Sequence, residues 1–91
     1  MVTCLVSVNF VKGQRDAIAA RMPAEQAHVR ALMERGEITS LHVAADQSRV
    51  WLVMPGESQE DVRRALTSFP LYPYMELELT PLLELQPAPR A

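Results

Sequence analysis

A chain of 91 residues with a net charge of −2 has room for one domain around one modest core, so association with further copies of itself is expected. The basic residues are scattered, with no aromatic-interleaved stripe, which disfavours nucleic acid as a partner. There is no membrane-length apolar run and no charged leader with a cleavage site, so a soluble, cytoplasmic protein without a membrane partner is the expectation.

Residues 3 to 10 alternate, with Cys4, Val6, Val8 and Phe10 on one face. Thr3, Ser7 and Asn9 lie opposite, Leu5 among them, and a strand fits. Cys4 has no internal disulfide partner, and a buried, inert thiol is expected there. Residues 12 to 16, with Gly13, read as a loop, and 16 to 21 as a short helical turn. Pro23 suits the first turn of a helix, where its missing N–H is no loss, and predicts a helix from about 23 to 35. Ala27, Ala31 and Leu32, with Ala24 and His28 alongside, trace its inner face, and Gly36 is its natural stop.

Residues 38 to 45 and 49 to 54 read as a hairpin about the turn Asp46-Gln47-Ser48, where Asp46 can bond its own backbone. Pro55 and Gly56 end it. Ser58 with Asp61 is a capping-box variant, and Val62, Ala65, Leu66 and Phe69 form a helical stripe ending before Pro70. In the next stretch, residues 68 to 82, Phe69 and Tyr72 each precede a proline and are pushed toward extended geometry. From Met75 the chain alternates, Met75, Leu77 and Leu79 against Glu76, Glu78 and Thr80, which predicts a half-buried strand led in by two tyrosines.

The order strand, helix, strand, strand, helix, strand predicts an α+β fold of ferredoxin-like βαββαβ type, a four-stranded antiparallel sheet with two helices on one face. The domain is expected over residues 1–82, with a proline-rich tail over 83–91. Thr3, Leu5, Ser7 and Asn9, with Trp51 and Val53, would form a mixed surface on the other face, suited to a second copy.

The sequence carries no metal-ligand spacing, no Gly-rich phosphate loop and no nucleophile elbow. Acid–base chemistry without a cofactor remains. Glu25 and His28, three apart on a helix, share a face with Leu32 one turn on, where a carboxylate would be partly desolvated and its pKa raised toward that of a useful base. His42, with Asp46 four residues on, is a second candidate, its imidazole oriented by the carboxylate. Trp51, Tyr72, Tyr74 and Met75 are candidate walls of a small-molecule pocket. From the residues alone the reading stops at acid–base chemistry at Glu25 or at His42 with Asp46, with a non-catalytic ligand-binding or oligomerisation module as the alternative.

The terminal stretch resembles muconolactone Δ-isomerases, in which Ser-x-Pro-Leu-x-Pro-Tyr-Met leads into an acidic alternating strand and Thr-Pro-Leu. Here those positions are Ser68, Pro70, Leu71, Pro73, Tyr74, Met75, Thr80, Pro81 and Leu82. A looser similarity runs back through Ser58, Glu57, Leu41, Gly36, Leu32 and Ala27 to Glu25. The resemblance implies a dimeric α+β barrel assembling into larger rings, and a cofactor-free isomerisation of a small unsaturated lactone in aromatic-compound catabolism. On that reading Glu25 is the proton shuttle, and His28, His42 or Tyr74 are polar contacts to the substrate. Trp51, Tyr72 and Met75 then line the pocket. One departure stands out: where the family pattern carries a Trp-Arg pair after the Leu41 position, this chain has His42 and Val43. Neither side chain replaces a bidentate guanidinium, which points to a different substrate or to no catalysis. The wider superfamily resembled also includes cofactor-independent monooxygenases, so a monooxygenase or cyclase built on His42 and Asp46 stays open beside the isomerase and the non-catalytic module.

Overall fold

A computed structural model describes residues 1–83 of the protein. The chain runs β1 (Val2–Phe10), α1 (Arg15–Glu34), β2 (Ser40–Val43), β3 (Val50–Gly56), α2 (Gln59–Leu66), a 3-10 turn (Tyr72–Tyr74) and β4 (Met75–Leu82). The four strands make one antiparallel sheet in the order β2-β3-β1-β4, so the expected ferredoxin-like α+β fold is the one adopted. Apart from Leu83, the expected tail lies outside the described residues.

Side-chain alternation sorts the sheet into two faces. Cys4, Val6 and Val8 of β1, with Leu52 and Met54 of β3, pack against Leu32 of α1 and Val62 and Leu66 of α2. Met75, Leu77 and Leu79 of β4 lie beside them. On the face away from the helices, Leu5 pairs with Val53 and Thr80, and Trp51 pairs with Ser7 and His42. Arg49 donates to Asn9 Oδ1 at 3.0 Å at its rim.

Two prolines sit inside strands without breaking them. Thr39 N–H donates to Val53 C=O, so the odd-numbered residues of β3 turn their polar groups toward β2. Pro55 comes two residues on, past the end of β2, where no ladder bond is lost. In β4, Val11 N–H donates to Tyr74 C=O, so even-numbered residues bond β1 and Pro81 faces the open edge. β3 therefore continues to Gly56 rather than ending at Met54.

The first helix departs from expectation. It is one helix of 20 residues, with Pro23 inside it rather than at its start. Pro23 leaves the Ala19 carbonyl without its helical donor, but this side of the helix is exposed and water can serve it. The inner face is also different: Ala24 and Ala27 are exposed, while Ile18, Met22, Glu25, Val29 and Leu32 follow one another at four- and three-residue steps on the sheet side. The helix stops as expected. Gly36 takes φ 76°, its N–H donates to Met33 C=O, and Glu37 N–H donates to Leu32 C=O, the paired bonds of a Schellman end. α2 begins on Ser58, whose Oγ accepts from Asp61 N–H at 3.1 Å.

Past α2, Tyr72 lies in the 3-10 turn instead of extended backbone. The turn is closed by Tyr72 N–H to Phe69 C=O and Tyr74 N–H to Leu71 C=O. Pro73 fits because the first positions of such a turn need no donor of their own. β2 is shorter than predicted, Ser40–Val43, because Gln47 at φ 64° turns the chain sharply back toward β3.

Candidate active site

The inner stripe of α1 holds one carboxylate among apolar side chains. Glu25 is 7% exposed. Its position follows from the spacing: Met22 and Val29 occupy the turns on either side, so a helix that buries them must carry Glu25 inward too. What receives it is the proline-rich turn after α2. Pro70 has no N–H, and the N–H of fully buried Leu71 has no backbone acceptor among the described residues; it donates to Glu25 Oε1 at 3.0 Å. The other oxygen, Oε2, takes no hydrogen bond among the described residues and is not sealed from the space beside it. Burial pushes the Glu25 pKa above its ordinary 4.5, while the Leu71 N–H and the nearby His28 pull the other way more weakly.

The same turn is latched to α1 at two further points. Ser68 Oγ donates to Ala65 C=O at 2.6 Å, so its one hydrogen is committed and the 3.0 Å contact with His28 Nε2 requires the imidazole to donate. His28 also meets the Phe69 ring edge-on at 5.0 Å between centroids. Two turns of helix earlier, Arg21 donates to Pro70 C=O at 3.2 Å and stacks its guanidinium 5.2 Å from the centre of the Tyr74 ring. The residues of the terminal motif thus hold the helix that carries the carboxylate.

Glu25 faces a cleft of about 560 Å³ between α1 and the sheet. Val8, Phe10, Val50, Leu52, Phe69 and Met75 supply much of its apolar lining. A volume of this order suits a small ring. Its polar lining is brief: Glu25 inside, and Gln26, Arg30 and Gln47, all exposed, toward solvent. Val43, at the position where the resemblance places an arginine, contributes only apolar surface.

Of the residues singled out in the sequence, the fold brings Glu25 and Met75 together in this cleft. His28 is not among the lining residues and meets the cleft only through Phe69, whose ring it touches edge-on. Tyr74 lies behind, under Arg21, and Tyr72 is exposed; neither lines the cleft. His42 and Trp51 stand opposite each other on the helix-free face of the sheet. His42 Nε2 lies 2.7 Å from Ser40 Oγ. The Asp46 carboxylate does not orient it: Asp46 accepts from Ser48 Oγ at 2.6 Å and Ser48 N–H at 3.0 Å, bonds that lower its pKa. The expected His42–Asp46 pair is therefore not formed, because the turn's own donors reach the carboxylate first. Among the described residues no group of three His, Cys, Asp or Glu side chains is placed to hold a metal ion.

A family model described as muconolactone delta-isomerase matches residues 2–87. The chain belongs to that family. The matched span takes in α1 with Glu25, the latch from Ser68 to Tyr74, and every strand of the sheet, so family membership covers the whole cleft. No curated protein matches the chain. Sequence reasoning missed Gln26, Arg30 and Gln47 as cleft residues of this muconolactone isomerase family member. A signal for the first two existed, since Met22, Gln26, Arg30 and Met33 follow one another at four- and three-residue steps along α1.

Proposed function

We propose that the protein is a cofactor-free isomerase that moves a proton between two carbons of a small unsaturated lactone, with Glu25 as the shuttle. The observation that carries this is a carboxylate lining an apolar cleft, with one oxygen fixed by the Leu71 N–H and the other without a hydrogen bond among the described residues. A base so placed combines fixed orientation with a raised proton affinity, and both favour abstraction of a weakly acidic C–H. In the forward step Oε2 takes a proton from a ring carbon, and the electron pair delocalises onto the lactone carbonyl as a dienolate. Glu25, now neutral, returns the proton two carbons away, and the double bond shifts with no net change in atoms. Gln26, next to Glu25 on the same helix and lining the same cleft, is a side-chain donor available to the developing oxyanion.

Family membership supports the same reading, and with it we infer a role in the cytoplasmic breakdown of aromatic compounds. We also infer that two copies meet through the helix-free sheet face, where Leu5, Trp51 and Val53 form an apolar centre, to complete an α+β barrel.

The test is exchange of ring protons into deuterated solvent with muconolactone as substrate. The parent protein exchanges and isomerises, and Glu25→Gln loses about 100-fold or more in rate, the usual contribution of a positioned base. A Gln variant that exchanges as fast as the parent removes Glu25 from the mechanism. A ligand-dependent rise in melting temperature with no exchange at all would identify a binding module instead.

A further inference from the structure

The cleft has an uneven distribution of polar groups. Among the described residues its only acid is the buried Glu25, and the three polar side chains nearer solvent can all donate hydrogen bonds: Gln26 and Arg30 from α1, Gln47 from the β2–β3 turn. Arg30 is the one cation lining it, and it forms no ion pair among the described residues. Glu34, one turn along the helix, is a natural i,i+4 partner, yet it makes no such pair. Gln47 is held opposite in left-handed backbone, φ 64°, a conformation that is uncommon for a residue with a side chain. The neighbouring Asp46–Ser48 bonds pin that turn, so Gln47 is fixed on the far side of the cleft from the helix.

We propose that this rim is a carboxylate-binding subsite in which Arg30 sets the specificity of the cleft for an anionic ligand. This rests on the cleft being the substrate site. Arg30 lies five residues after Glu25, roughly 7.5 Å along a helix axis and about 140° around it, so Glu25 enters the cleft from its floor and Arg30 from its exposed rim. Helical side chains lean toward the N-terminus, which brings the guanidinium back over the Gln26 turn. A small ring against Glu25 can direct a carboxylate on a short arm outward to that rim. The carboxylate then meets a planar fork of donors in partial contact with water, where an arginine can bind it bidentately. Gln47 supplies one further donor from the opposite wall. A ring without the anionic arm leaves Arg30 solvated and gains nothing from it, so the subsite discriminates by charge.

The probes are 2-furanacetate, a five-membered ring with a carboxymethyl arm, and its uncharged methyl ester, titrated by calorimetry against the parent, Arg30→Gln and Arg30→Lys. For the parent, the anion binds more tightly than the ester. In Arg30→Gln the anion weakens roughly tenfold or more, the size of a lost charged hydrogen bond, while the ester is unchanged. Arg30→Lys restores part of the difference, because the charge remains without the fork. Arg30 is exposed, so these variants are expected to fold, and an unchanged melting temperature verifies it. Equal weakening of both probes, an unaltered anion affinity in Arg30→Gln, or an anion that does not bind the parent overturns the proposal. None of these outcomes depends on isomerisation, so the subsite can fail while Glu25 remains the proton shuttle, and the reverse.

Discussion

At Glu25 the same burial that makes a base also destabilises the fold. The folded-state pKa lies above the ordinary value of 4.5, so the neutral form is the one that folding favours. The stability contributed by that form is full below the unfolded pKa and is lost as pH rises through the folded one. Each unit of elevation corresponds to about 1.4 kcal/mol. Melting temperature is therefore expected to fall with rising pH above about 4.5, and Glu25→Gln, which has no proton to release, should flatten that slope. A Gln variant with the parent's pH profile would mean that another group is responsible. Glu25→Ala separates structure from charge. It leaves the buried Leu71 N–H without an acceptor, at a cost of about 1–3 kcal/mol beyond the lost packing, so it should melt below the Gln variant at every pH. Denaturant titration of the two variants checks the order.

Pro23 is where the sequence and the elements diverge most. Read as a helix start, it cuts Ile18 and Met22 away from the stripe they belong to and leaves alanines as the apparent inner face. Once the helix continues through it, Glu25 falls at the centre of an apolar row, and its burial follows from spacing alone. A helix-interior proline costs roughly 3 kcal/mol relative to alanine, offset in part by the tighter unfolded chain it gives, so Pro23→Ala is expected to stabilise by about 1–2 kcal/mol. Were residue 23 a first-turn position, the same change would be neutral or unfavourable, and chemical denaturation distinguishes the two. Elsewhere the elements were legible for local reasons. Strand alternation in β1 and β4, the Ser58 cap and the Gly36 stop each depend on neighbours in sequence. The Leu71–Glu25 bond joins residues 46 apart and the loss of the His42–Asp46 pair depends on Ser48 geometry, so neither could be read from spacing.

For the whole molecule, the two faces of the sheet divide the work. The cleft lies on the helix side, and every group proposed to act in it comes from one chain, so a second copy against the opposite face would leave both clefts open. The candidates His42 and Trp51 belong to that opposite face, where Leu5, Val53 and Trp51 form an apolar centre with Arg49, Glu76 and Glu78 around it. Leu5 is at the middle of this surface, paired with Val53 on one side and Thr80 on the other. An aspartate there would be tolerable on a wet sheet face but would sit unpaired and desolvated in an interface between copies. Leu5→Asp should therefore lower the mass measured by light scattering, from that of a dimer or a multiple of one to a single chain of 10.2 kDa. The separated chains should also melt lower, since a domain this small would gain much buried area from a second copy. Below that melting point each chain should still exchange ring protons through Glu25. A parent protein that is already monomeric, or a variant whose mass does not change, would leave the helix-free face without the role assigned to it.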